Sequence, residues 1–96
     1  MCHTADVPFS MNTSSLIQPR YRLTTAEQLL ADKMARYWTA FAKSRTAEVT
    51  WPSDLIAWPK YDPKQQQSME FNLNLSVVSD YNGLNCDFWD KYGYVN

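Results

Sequence analysis

Apolar side chains recur along this chain with two different periods. Leu30, Met34, Tyr37, Trp38 and Phe41 fall at helical spacing and form one stripe, widened by Leu29, while Asp32, Lys33, Arg36 and Lys43 fall off it. Thr24, followed three residues later by Glu27, opens the stretch as a capping box. The pattern predicts an amphipathic helix over residues 25–43, with Asp32 and Arg36 as a favourable i,i+4 pair. Burying five or six such side chains is worth roughly 1.5–3 kcal/mol each, so this stripe needs a cover.

Residues 69–77 follow the second period. Met69, Phe71, Leu73, Leu75 and Val77 alternate with Glu70, Asn72, Asn74 and Ser76, which predicts one half-buried strand near a sheet edge. A short helix is expected over roughly residues 82–92, with Cys86 and Trp89, joined by Phe88 and Tyr92, on one side and Gly83 and Gly93 near its ends. Residues 1–11 read as a loop leading into a short extended piece, and 12–23 as loop. Residues 44–68 read as irregular, punctuated by Pro52, Pro59 and Pro63, with Trp51 and Trp58 pinning the loop to a neighbouring surface. One strand makes no sheet, and its backbone groups need partners. The chain therefore reads as incomplete as an independent domain.

Composition narrows the classes. Ninety-six residues allow one small domain at most. Hydrophobic residues at 45% and aromatics at 15%, with four Trp and six Tyr, exclude a disordered tail and imply packing against a large body or an exposed sticky surface. A net charge of −1, without basic runs, gives no reason to expect nucleic acid. No apolar run approaches the ~20 residues of a membrane span. The first residues carry neither the basic nor the apolar region of a signal peptide. One histidine and two distant cysteines, Cys2 and Cys86, offer no zinc-site spacing, and neither a metal nor another cofactor is expected. Whether Cys2 and Cys86 pair stays open at this point. Two sequons, Asn12-Thr13-Ser14 and Asn74-Leu75-Ser76, lean toward a secreted chain.

The chemistry-bearing stretch is Cys2-His3-Thr4-Ala5-Asp6-Val7-Pro8-Phe9, which holds the sole histidine. A histidine suits proton transfer in both directions because it titrates near neutrality. Asp6 follows it too closely to be a triad acid and reads as a loop-fixing or solvated residue. The thiol of Cys2 is a formal second candidate as nucleophile.

Five stretches in one order carry a resemblance. Cys2 through Phe9 looks like a catalytic-histidine loop of the pattern His-Gly-x-Asp/Glu-Leu-Pro-Tyr. Tyr37-Trp38-Thr39-Ala40-Phe41-Ala42-Lys43 is similar to Tyr-Trp-x-Asn-Phe-Ala-Lys at a helix end. Trp58-Pro59-Lys60-Tyr61-Asp62 matches Trp-Pro-x-Tyr-Asp. Residues 69–77 stand where a last strand is placed, and Cys86-Asp87-Phe88-Trp89-Asp90 resembles a closing Cys-x-Phe-Trp. Together they resemble the C-terminal part of type B carboxylesterases, the cholinesterase- and lipase-like branch of the α/β-hydrolases. Departures are Thr4, where that pattern has Gly after the histidine, Ser10-Met11 in place of a more apolar pair, and Ser44-Arg45-Thr46-Ala47, which lacks a Gly and a Pro.

The resemblance implies an α/β fold, residues 1–96 being the C-terminal part of an α/β-hydrolase domain, and ester hydrolysis with His3 as the triad histidine. It implies that Cys86 matches a cysteine often bound in a disulfide to one further upstream. In this fold the triad runs Ser, then Asp or Glu, then His. A nucleophile elbow needs Gly-x-Ser-x-Gly, and Gly83 and Gly93 stand ten apart, so neither elbow nor Gly-rich oxyanion loop occurs in these 96 residues. The expectation is a chain inactive alone, with an ester substrate in the full-length enzyme and the remainder of the hydrolase domain as packing partner. A segment of a non-catalytic cholinesterase-like interaction domain, or a free-standing small binding protein, are the alternatives.

Overall fold

Helix α2 (Thr25–Lys43) organises the chain, and it begins and ends where the side-chain pattern places it. Thr24 Oγ1 accepts from the Glu27 amide at 3.3 Å, and Glu27 Oε2 accepts from the Thr24 amide at 2.7 Å. The bond from the Thr24 backbone foremost, and a second in which the Thr24 hydroxyl donates to the same Oε2 at 2.8 Å, hold the Glu27 carboxyl below the usual carboxylate range. The helix ends at Ser44, whose extended backbone turns the chain away. The computed structural model describes residues 3–16, 22–45 and 48–93. Besides α2, these comprise α1 (Val7–Ser10), a 3-10 turn at Ser14–Leu16, β1 (Gln67–Glu70), β2 (Ser76–Ser79) and α3 (Gly83–Asp90).

The core sits on one side of α2. Leu30, Ala31 and Tyr37 are buried, and Tyr37 is the largest fully buried side chain. Its ring meets Trp51 at 5.5 Å, Trp58 at 5.8 Å and Phe71 at 5.6 Å, each edge to face. This is the arrangement in which the positive ring edge meets a negative ring face. Its hydroxyl donates to the Ile56 carbonyl at 2.6 Å, and Trp51 Nε1 donates to the Trp58 carbonyl at 3.1 Å. The irregular segment is thus pinned to α2 through its two tryptophans, as the sequence suggests. The rest of the stripe is covered less: Met34 is half-buried, while Leu29, Trp38 and Phe41 are exposed.

Three expectations are corrected. The single strand over 69–77 is a hairpin: β1 pairs antiparallel with β2, from Gln67 opposite Ser79 to Glu70 opposite Ser76. Asn72, Leu73 and Asn74 form the reversal, with the Asn72 side-chain oxygen accepting from the Leu73 amide at 2.8 Å. Asparagine favours such turns by bonding nearby backbone, and the alternating pattern simply continues across the bend. The extended piece expected within 1–11 is instead the helical turn α1, because Pro8 pre-sets the backbone of a first helical turn. Arg36 pairs not with Asp32 but with Asp54, in a two-pronged bridge of 2.6 and 2.8 Å. That bond holds the Asp54 carboxyl below its usual range and raises the guanidinium. Helix α3 lies within the expected residues 82–92 and has no buried residue: Leu84, Cys86, Phe88 and Trp89 are all exposed, and Phe88 touches only its own neighbours Trp89 and Tyr92 among the described aromatic rings.

The surface is large for the mass. The chain exposes 8075 Å², where a compact protein of its size exposes about 5,700 Å². Its radius of gyration is 16.3 Å, against about 12.5 Å for a compact chain of this length.

Candidate functional site

His3 opens a tight turn of residues 3–6 that runs into α1. The turn closes with the Val7 amide donating to the Thr4 carbonyl at 3.1 Å. Thr4, which opens this bonded turn, takes a φ of +67°, in the left-handed region. A β-branched residue there is strained, whereas glycine has no Cβ to clash. The backbone therefore gives a physical reason for a glycine at this position, and Thr4 keeps the same geometry at a cost.

Two links fix this turn to α2. Trp38 Nε1 donates to the Ser10 carbonyl at 2.7 Å, tying the end of α1 to the middle of the long helix. Past α1, Asn12 Nδ2 donates to Asp32 Oδ1 at 2.9 Å while its own Oδ1 accepts from Gln28 Nε2 at 2.7 Å. Gln28 Nε2 also reaches Asp32 at 3.1 Å, and the buried Ser14 hydroxyl donates to Gln28 Oε1 at 3.0 Å. Pro8 of α1 is buried, and α1 packs against α2. The helix thus acts as the post on which the histidine loop is mounted. Sequence reading missed this network. The signal was a pair of polar side chains one turn apart, Gln28 and Asp32, but Asp32 was assigned to Arg36 instead.

The imidazole itself is exposed and has no hydrogen-bond partner among the described residues. Asp6 occupies the position before α1, and its side chain makes no cap bond there. Neither it nor any other described carboxylate orients His3. Among the described residues no group of three or more His, Cys, Asp or Glu side chains is arranged to hold a metal. Cys86 is a free, exposed thiol; Cys2, and with it any Cys2–Cys86 pairing, lies outside the described residues.

Beside the mounting helix lies an open, mostly apolar groove of about 770 Å³. Its walls come from Tyr37, Trp38 and Phe41 of α2 and from Trp51, Trp58 and Pro59 of the irregular segment. Burial pushes the Tyr37 phenol up, so that it stays neutral and serves only as a donor to Ile56. The residues that carried the resemblance, Tyr37-Trp38 and Trp58-Pro59, are the ones that meet here.

Residues 1–89 match the carboxylesterase family. The chain belongs to the carboxylesterase family. Among its relatives, Acetylcholinesterase 1 of Caenorhabditis briggsae is 33% identical over 89 residues, covering 78% of this chain and 13% of that protein. Carboxylesterase 5A of Mus musculus is 35% identical over 66 residues, covering 69% of this chain and 11% of that protein. Acetylcholinesterase of Bungarus fasciatus is 35% identical over 71 residues, covering 72% and 11%. The carboxylesterase-family chain therefore spans little more than a tenth of the relatives it matches. Three helices and a two-stranded sheet are consistent with a piece of an α/β domain. No helix among the described residues is long and apolar enough to cross a membrane.

Proposed function

We propose that this chain is the C-terminal part of a serine carboxylic-ester hydrolase of the α/β-hydrolase fold and that His3 is its triad histidine. The observation that carries the reading is the turn at His3. It falls within the matched residues, places Thr4 in the left-handed backbone that glycine favours, and is bolted to α2 by Trp38 and Asn12. In this reading a serine elsewhere in the polypeptide attacks the ester carbonyl. His3 takes the serine proton and returns it to the departing alcohol, and an acidic residue, also elsewhere, fixes the imidazole tautomer. The exposed imidazole, without a hydrogen-bond partner among the described residues, fits a base whose partners come from other segments.

The surplus surface supports the same reading. An excess of roughly 2,400 Å² over a compact protein of this mass exceeds the ~800 Å² that each partner contributes to a standard interface. The remainder of a hydrolase domain is the body that covers it, with the aromatic groove beside α2 as one contact face. The chain by itself hydrolyses nothing, since loss of a nucleophile costs on the order of 10⁶ in turnover. The kinship with carboxylesterases and cholinesterases, together with two sequons, favours an extracellular protein.

Hydrolysis of a short-chain nitrophenyl ester tests this. The 96-residue chain should be silent. The longer polypeptide encoded by its reading frame should be active and should lose at least about 10⁴-fold on His3→Ala. An extended polypeptide without Gly-x-Ser-x-Gly, or one whose activity survives His3→Ala, would overturn the proposal.

A further inference from the structure

The chain holds two Asn-x-Ser sequons, Asn12-Thr13-Ser14 and Asn74-Leu75-Ser76, and the fold treats them in opposite ways. Asn12 is half-buried with φ at +49°. Its Nδ2, the atom a glycan would occupy, donates to Asp32 at 2.9 Å, and its Oδ1 accepts from Gln28 at 2.7 Å. The hydroxyl two positions on, Ser14, is buried against Gln28. A sugar ring on Asn12 must occupy the space held by Asp32 and Gln28, so the network that mounts the histidine turn would come apart.

Asn74 has none of these ties. It lies in the reversal between β1 and β2, exposed, with exposed Asn72 and Leu73 beside it. Its side chain has no hydrogen-bond partner among the described residues. Ser76 is the first residue of β2, and its hydroxyl donates to Glu70 Oε2 across the hairpin at 2.8 Å. A glycan leaving Asn74 extends from the end of a two-stranded ribbon and displaces no contact of the fold.

We propose that Asn74 is an N-glycosylation acceptor and that Asn12 is not. The donor is a lipid-pyrophosphate-linked oligosaccharide. The Asn74 Nδ2 bonds to the anomeric carbon as the bond from that carbon to the pyrophosphate oxygen breaks. The pyrophosphate leaves with the electron pair, and the amide gives one proton to a base of the transferase. A glycan there marks this end of the hairpin as solvent-facing in any larger domain that contains it. The inference does not rest on the ester-hydrolase reading, because it needs only passage through a secretory compartment.

The test expresses the longer polypeptide of this reading frame, in which residues 1–96 are covered by the rest of the domain, in a eukaryotic cell behind a cleavable secretion leader. An unrelated sequon in a C-terminal tag controls for translocation. Total protein, from lysate and medium together, is digested with an N-glycosidase and mapped by mass, so export does not limit the readout. Within residues 1–96 one glycan is expected, at Asn74, lost in Asn74→Gln and Ser76→Ala and kept in Asn12→Gln. A modified tag with Asn74 bare, a glycan within residues 1–96 that survives Asn74→Gln, or occupancy of Asn12 would each overturn it.

Discussion

Removing Tyr37 from the isolated chain asks whether these residues form a cooperative unit alone. At 11.2 kDa, the unfolded chain exposes roughly 16,000 Å². The folded chain keeps 8075 Å², so folding removes about half of the unfolded surface. A 60-residue domain, already marginal, removes about 60%. By this measure the chain is expected to fall short of independent stability. In a cooperative domain, Tyr37→Ala would delete the centre of the aromatic cluster and its bond to Ile56, at about 3–5 kcal/mol, as for other large aromatic truncations in cores. With a urea dependence of about 1 kcal/mol/M, that moves the midpoint down by about 3 M or more. Trp fluorescence reports the cluster and far-UV circular dichroism reports α2. We expect broad transitions that do not coincide, with no sharp midpoint for Tyr37→Ala to displace. A monomer in sedimentation, with coincident transitions and a Tyr37→Ala midpoint lowered by that amount, would refute the reasoning.

Two further outcomes follow from local geometry. Thr24→Ala removes a cap worth about 1 kcal/mol and should reduce the far-UV helical signal of the chain. The Glu27 side of the cap adds a pH dependence. Because folding lowers the Glu27 pKa, its contribution is complete above the ordinary glutamate range and is lost as pH falls through the lowered value. Helicity should drop in that acid window, and Glu27→Gln should remove this step; an unchanged acid profile in Glu27→Gln counts against the assignment. Thr4→Gly relieves about 1–2 kcal/mol of left-handed strain at a cost of about 0.5–1 kcal/mol in unfolded-state entropy. The Val7 amide, bonded to Thr4, should then exchange its proton more slowly, and faster exchange would show the turn is not strained as argued.

Much of the architecture was legible because it rests on local signals. A capping box and a 3.6-residue apolar period mark α2 from Thr24 to Lys43 without reference to anything else in the chain. The hairpin was not legible, since Phe71 and Leu75 keep the strand's alternation on either side of the turn. Only the Asn72–Asn74 pair hinted at the reversal. Arg36 shows a different limit. On the helix alone Asp32 is the natural partner, but Asp32 is taken by Asn12 and Gln28, and Asp54 arrives from a loop that no helical spacing describes. For the site, His3 was found by its residue type and neighbours. Its mounting on Trp38, Asn12 and Gln28 was not, because those contacts span 16 to 28 residues of sequence.

Among the described residues, β1 and β2 pair only with each other. Each strand therefore presents one free row of amide and carbonyl groups along its outer side. Such a row is a template on which another chain can add a strand. Concentration thus becomes a structural variable for this molecule. Dilute and concentrated preparations should differ in the intermolecular sheet signal of the amide infrared band. A longer polypeptide that supplies a neighbouring strand would remove that dependence on concentration.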